Sequence, residues 1–266
     1  MTLPKLPTFF ISHGGGPWPW MKTQTQGVYD QTEAFLKGLP ASIGQPVKAV
    51  LMVSAHWEEP AFTLQSHPQP GMLYDYYGFP AHTYEIKYPA PGSVALAEQV
   101  HGLIAGAGLP AALDAQRGFD HGAFVPMAVM YPEAQMPMVQ LSLKLGLDPA
   151  EHLALGRALA PLREQGVLIL GSGFSFHNLR MYGPAAKAPS AQFDAWLQQT
   201  LVHGPVDQRS AALVAWERAP AARLSHPREE HLLPLMVAVG AAESEASTCV
   251  FFEESPLCTI SSHRFG

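Results

Sequence analysis

The stretch Val167-Leu168-Ile169-Leu170-Gly171-Ser172-Gly173-Phe174-Ser175-Phe176-His177-Asn178 decides how this chain is read. Four aliphatic residues in a row suit a short strand buried on both faces. The run then gives way to glycine and serine and delivers a histidine. The same pattern occurs twice more. Thr8–Ile11 runs into Ser12-His13-Gly14-Gly15-Gly16, and Ala49–Val53 runs into Ser54-Ala55-His56-Trp57. Ligands of open α/β sheets sit in the crevice beyond the carboxyl ends of the strands. His13, His56 and His177 therefore read as parts of one site.

Outward from these strands, apolar runs alternate with helical patterns. Further strands are expected at Phe62–Gln65, Met138–Leu143, Val250–Phe252 and Leu257–Ser261. Helices are expected around 28–38, 93–106, 149–165, 190–203 and 206–217. The start at 149 carries an N-cap aspartate, Asp148, with Pro149 at the first position and Glu151 three residues after the cap. A last apolar helix runs to about Val239 and either starts near Glu230 or kinks there, because Pro234 has no amide hydrogen. The alternation predicts a single α/β domain over 1–266, an α/β/α sandwich with a mostly parallel central sheet. Residues 71–92 break the pattern. They hold five tyrosines and three prolines without a period of 2 or 3.6, and so long an aromatic loop inside a compact domain is expected to be functional or a lid.

Composition narrows the function. Sixteen Lys and Arg against 22 Asp and Glu give a net charge of −6 with no basic cluster, which argues against nucleic acid as a partner. No window approaches about 18 uninterrupted apolar residues, and the N-terminus does not read as a signal peptide. A soluble cytoplasmic enzyme without a membrane span is the expectation. The two cysteines, Cys249 and Cys258, are too few for a disulfide framework.

Twelve histidines in 266 residues is a high count that needs sorting. His67, His101, His152, His203, His226 and His263 lie in polar or helical surroundings and read as surface residues. His82 lies in the tyrosine-rich loop, within reach of a substrate. His13 and His56 sit where rigid strand ends would hold neutral imidazoles as metal ligands. Glu230 and His231 offer a third ligand, one binding while the other faces elsewhere. His177 reads as a fourth ligand or a general base. His121, after Asp120, reads as a group behind the ligands or against substrate. No Cys-x-x-Cys, His-Glu-x-x-His or Walker loop is present, and Gly171-Ser172-Gly173 lacks the nucleophile-elbow form.

Taken in order, these pieces resemble the class III extradiol ring-cleavage dioxygenases, most closely the 4,5-DOPA dioxygenase branch. The resemblance is carried by His13-Gly14, Ser54-Ala55-His56-Trp57, Gly78-Phe79-Pro80, Tyr88-Pro89-Ala90-Pro91-Gly92 and Gly118-Phe119-Asp120-His121-Gly122. It continues through Pro137–Ser142, Gly171-Ser172-Gly173, His177-Asn178-Leu179-Arg180 and Glu230–Leu235. The first loop departs from the family's usual Gly-His-Gly-Ser-Pro-Met, since Gly15-Gly16-Pro17-Trp18 follows here and makes a bulkier wall. The resemblance implies a non-haem metal, Fe(II) or in the same site Zn(II), associated with His13, His56, His177 and His231. In a related branch the third ligand is a glutamate and the histidine matching His177 is the acid/base. It further implies a small aromatic diol and O2 as substrates, and a muconic semialdehyde as product. Trp57, Phe119, Phe124, Phe174 and Phe176 are then expected as apolar walls, with Arg180 or Lys87 meeting a substrate carboxylate. The alternative class is a zinc hydrolase or amidohydrolase built on the same histidines.

Overall fold

The computed structural model describes residues 5–266; residues 1–4, where the reading of the N-terminus begins, lie outside the described residues. Among the described residues eight strands form one sheet: β1 (Thr8–Ser12), β2 (Ala49–Glu59), β3 (Phe62–Gln65), β4 (Ala111–Asp114), β5 (Met138–Lys144), β6 (Val167–Gly173), β7 (Ser247–Glu254) and β8 (Thr259–Phe265). Their order is β4-β3-β5-β2-β6-β1-β8-β7. The central strands β5, β2, β6 and β1 are mutually parallel. β8 runs antiparallel to β1, and β7 antiparallel to β8. β3 meets β5 antiparallel and pairs in parallel with β4.

The period-2 geometry of the strands splits the core in two. Phe10, Leu51, Val53 and Ile169 face one side, packed with Val100, Leu155, Val237 and neighbours from helices Val94–Gly106, Pro149–Leu159 and Leu233–Gly240. Phe9, Ile11, Val50, Met52, Leu168 and Leu170 face the other side, packed with Leu36 and Phe124 from helices Asp30–Ser42 and His121–Met130. The result is the expected α/β/α sandwich. The apolar run that ends the chain's last helix begins at Leu233 with Pro234 in its first turn, so the proline starts the helix rather than kinking it.

Several expectations need correction. β2 continues through His56 and Trp57 to Glu59, past a register shift between Val53 and Glu58. β4 carries no sequence signal of a strand: its Ala111-Ala112-Leu113-Asp114 has little strand propensity and lies at the sheet edge. His152, His226 and His263, read as surface residues, are each 0% exposed. His263 lies on β8, an interior strand between β1 and β7. His152 packs edge-on against Phe62, and His226 against Phe193.

Candidate metal centre

The carboxyl ends of β1, β2 and β6 are adjacent, and the histidines gather there. His13 follows β1 directly, and its N–H bonds the carbonyl of Gly173 at the end of β6 (3.1 Å). His56 lies near the carboxyl end of β2. The segment carrying His231 packs straight onto β6, where Phe174 N–H donates to the His231 carbonyl (3.0 Å). That approach explains the glycines of β6: a Cβ on Gly171 would overlap the Pro234 carbonyl, and one on Gly173 the His231 carbonyl.

Three imidazole nitrogens converge. His56 Nε2 lies 3.1 Å from His13 Nε2 and 3.2 Å from His231 Nε2. Each ring has its other nitrogen turned toward an oxygen behind it. His13 Nδ1 bonds Ser172 Oγ (3.0 Å), and the Ser172 hydroxyl itself donates to the Gly122 carbonyl (2.5 Å). With its proton committed, that serine accepts from His13 Nδ1–H. His231 Nδ1 bonds Glu230 Oε1 (2.9 Å), and His56 Nδ1 lies 3.4 Å from Asp75 Oδ2. A proton on each Nδ1 leaves three Nε2 lone pairs facing one another. Ligand atoms of His13, His56 and His121 lie within 4.8 Å of one another, as do those of His177, Glu230 and His231.

Electrostatics keep these rings neutral. Burial first, and the neighbouring imidazoles second, hold His13 and His231 well below the ordinary histidine value. The same causes, burial and then His121, lower His56 to about 3. Burial alone would raise Glu230 and Asp75. The bonds and charges of His177 and Arg228 pull Glu230 below the usual range, and His121 and His56 do the same for Asp75.

Glu230 stands behind His231 rather than beside its Nε2. Its Oε1 reaches both His231 Nδ1 and His177 Nδ1 (3.2 Å), and the His177 ring stacks on His231 with centroids 3.3 Å apart. His121 heads the helix His121–Met130, N-capped by Asp120, whose carboxylate accepts from Ala123 N–H (3.2 Å) and Ser54 Oγ (2.8 Å). His121 Nδ1 bonds Asp75 Oδ1 (2.8 Å). The cavity over these rings measures about 850 Å³ and is walled by Trp18, Tyr29, Tyr76, Phe79, Phe174 and Tyr182.

Not every expected wall residue is there. Trp57 follows His56 on a strand and so points to the opposite face, 2% exposed, its indole N–H on Glu59 (2.8 Å) and Arg117 over its ring. Phe119 and Phe124 are enclosed in the core beneath the cavity, and Phe176 packs near Tyr182 in a separate cluster. Of the five aromatics, Phe174 alone lines the cavity. Arg180 and Lys87 are exposed and lie off it, as does His82, which bonds the Trp20 carbonyl. The one guanidinium at the cavity is Arg228, paired with Glu58 at 2.5 Å. Sequence reasoning passed over Asp75, Tyr29, Tyr182 and Arg228, and weighed Ser172 only as a nucleophile. Asp75 left a faint signal, a lone carboxylate among tyrosines in Tyr74-Asp75-Tyr76-Tyr77.

The fold and this cluster define a class. The chain belongs to the LigB family of aromatic ring-opening dioxygenases: the family model described as the catalytic LigB subunit of aromatic ring-opening dioxygenase matches residues 7–260. Among relatives, the 4,5-DOPA dioxygenase extradiol of Beta vulgaris is 41% identical over 242 residues, covering 88% of this chain and 86% of its own. The protein of the same name from Escherichia coli (strain K12) is 35% identical over 251 residues, covering 92% and 88%. A crystal structure of an uncharacterized Escherichia coli K12 protein superposes with a TM-score of 0.76 at 29% identity, covering 98% of this chain and all of that one. The chain is thus an enzyme of the extradiol dioxygenase class. Among the described residues no helix is long and apolar enough to cross a membrane.

Proposed function

We propose that this enzyme uses O2 to open the ring of a catechol, a DOPA-like or related diol, beside the two hydroxyls, at one metal ion held by His13, His56 and His231. The observation that carries the reading is the set of three Nε2 atoms drawn together at His56 with every Nδ1 turned toward an oxygen behind it. Neutral imidazoles so arranged repel through their lone pairs unless a cation sits among them. Their spacing suits one. Nitrogens about 2.1 Å from a shared ion lie about 3.0 Å apart at right angles and about 3.4 Å apart at the tetrahedral angle, and the observed 3.1 and 3.2 Å fall between. Fe(II) is the proposed native ion, with Zn(II) able to occupy the same imidazoles. Bound there, Fe(II) supplies Lewis acidity toward the diol and the redox chemistry that O2 requires.

The chain's own residues do the rest. His177 is the proposed acid/base. It accepts a phenolic proton, and the Glu230 carboxylate 3.2 Å from its Nδ1 stabilises the imidazolium that forms. Glu230 at the same time fixes the ring of His231. His121, held from behind by Asp75, presents its remaining nitrogen toward the ligand cluster. Trp18, Phe79 and Phe174 exclude water from the reacting oxygen. The Ser172 hydroxyl serves His13 and Gly122, so it does not act as a hydrolytic nucleophile.

The test is anaerobic reconstitution with Fe(II), then addition of O2 and a panel of catechols, read by oxygen uptake and a yellow semialdehyde absorbance. Uptake coupled to colour with at least one catechol is expected. An enzyme that binds one equivalent of Fe(II) yet consumes no O2 with any of them refutes the proposal.

A further inference from the structure

We infer that Asp75 is a positioning residue, whose single carboxylate holds the rings of His56 and His121 with their protons on Nδ1 so that His56 Nε2 is free for the ion. The role rests on the metal centre proposed above. Asp75 Oδ1 accepts from His121 Nδ1 (2.8 Å) and from the His121 backbone N–H (3.0 Å), while Oδ2 lies 3.4 Å from His56 Nδ1. The two rings pack against each other with centroids 3.9 Å apart, so the carboxylate spans their backs. Its side chain is 16% exposed.

The tyrosine-rich segment exists, on this view, to deliver that carboxylate. Leu73 N–H bonds the Phe119 carbonyl (2.8 Å), the Tyr74 hydroxyl the Ile86 carbonyl (2.6 Å), and the Tyr76 hydroxyl the Thr83 carbonyl (2.5 Å). Asp75 is therefore braced on both sides by bonds that tie an irregular stretch to itself and to the loop before His121. A mobile cover needs no such bracing.

Chemistry requires a carboxylate here. Three N–H groups of two residues face two oxygens, and both oxygens must accept. An amide of the same shape offers one oxygen and one NH2. Two N–H groups of His121 hold the oxygen, so in Asp75→Asn the NH2 points at His56 Nδ1. A donor facing a donor drives the His56 proton to Nε2, which removes a lone pair from the ligand set.

Two measurements test this on the full chain. Imidazole nitrogen–proton NMR of the metal-free protein reads the tautomers, and Co(II) titration reads affinity through its ligand-field bands. Wild type is expected to show His56 and His121 protonated on Nδ1. Asp75→Asn is expected to show His56 protonated on Nε2 and to bind Co(II) about 10- to 100-fold more weakly. Glu85→Gln, an exposed carboxylate of the same segment, is expected to match wild type. Full wild-type affinity in Asp75→Asn, with His56 still protonated on Nδ1, overturns the role of Asp75. Should that variant not fold, a wild-type His56 protonated on Nε2 overturns it alone. Wild type that takes up no Co(II) overturns the metal centre itself, a result the tautomer spectra distinguish.

Discussion

Acid should destabilise this protein in part through three histidines that do not line the cavity. His152, His226 and His263 are 0% exposed, and burial lowers them to about 4, about 4 and about 3. His226 and His263 each leave Nδ1 without a partner, so neither ring has an acceptor waiting for a second proton. In the unfolded chain all three titrate near 6.5. The folded values are depressed, so the unfolded state binds more protons between the two limits. Their stabilisation is present above pH 6.5 and is lost as pH falls toward the folded values. From pH 6.5 to 5.5 each withdraws about 1 kcal/mol, and about 1.4 kcal/mol for each further unit until its folded value is reached. Together these three remove about 3 kcal/mol in the first unit, a large share of an ordinary domain's roughly 5–15 kcal/mol, and the depressed His13, His56 and His231 of the metal-free cluster add to the loss in the same direction. Burial raises Asp120, Asp194 and Glu253, whose protonation favours the folded state as pH falls, so a histidine variant and not the slope alone assigns the loss. Urea denaturation at pH 7.5, 6.5 and 5.5 measures the loss, and His226→Gln should recover about 1 kcal/mol of it by the same arithmetic. Stability that stays flat over that range, with unchanged m-value, refutes the reasoning.

Three other outcomes follow from the site. His177→Gln should keep its metal while kcat falls about 10²- to 10⁴-fold, the usual worth of a positioned acid/base; loss of metal instead would make it a ligand. Ser172→Ala leaves His13 Nδ1–H and the Gly122 carbonyl buried without partners, about 1–3 kcal/mol each, and urea midpoints of the metal-free protein read the sum. Gly173→Ala forces a methyl group into the His231 carbonyl, so it should cost about 1–3 kcal/mol as an overpacked site does and lower Co(II) affinity in titration, whereas wild-type affinity would show that His231 yields freely.

The sandwich was readable because β1, β2 and β6 are apolar runs ended by small residues, and that ending also marked His13 and His56. What followed depended on backbone direction. His56 and Trp57 look equivalent as neighbours, but β2 runs on to Glu59 and pleating sends them to opposite faces. Glu230 and His231 differ by one residue, and only the turn before Leu233 decides which one meets His56. Arg228 and Tyr182 reach the cavity from segments without a period, where spacing carries no direction. The hidden His263 has polar sequence neighbours, Ser261, Ser262 and Arg264, and the antiparallel pairing of β8 between two strands encloses it.

The rings that meet over the sheet come from distant places: 43 residues separate His13 from His56, and 175 separate His56 from His231. An ion shared by them would stitch the two ends of the polypeptide to each other, as a covalent crosslink closing loops of those lengths would. Stripping it with a chelator would then hasten unfolding of the entire chain, and the protein's lifetime in solution would track its supply of that ion as closely as its turnover does.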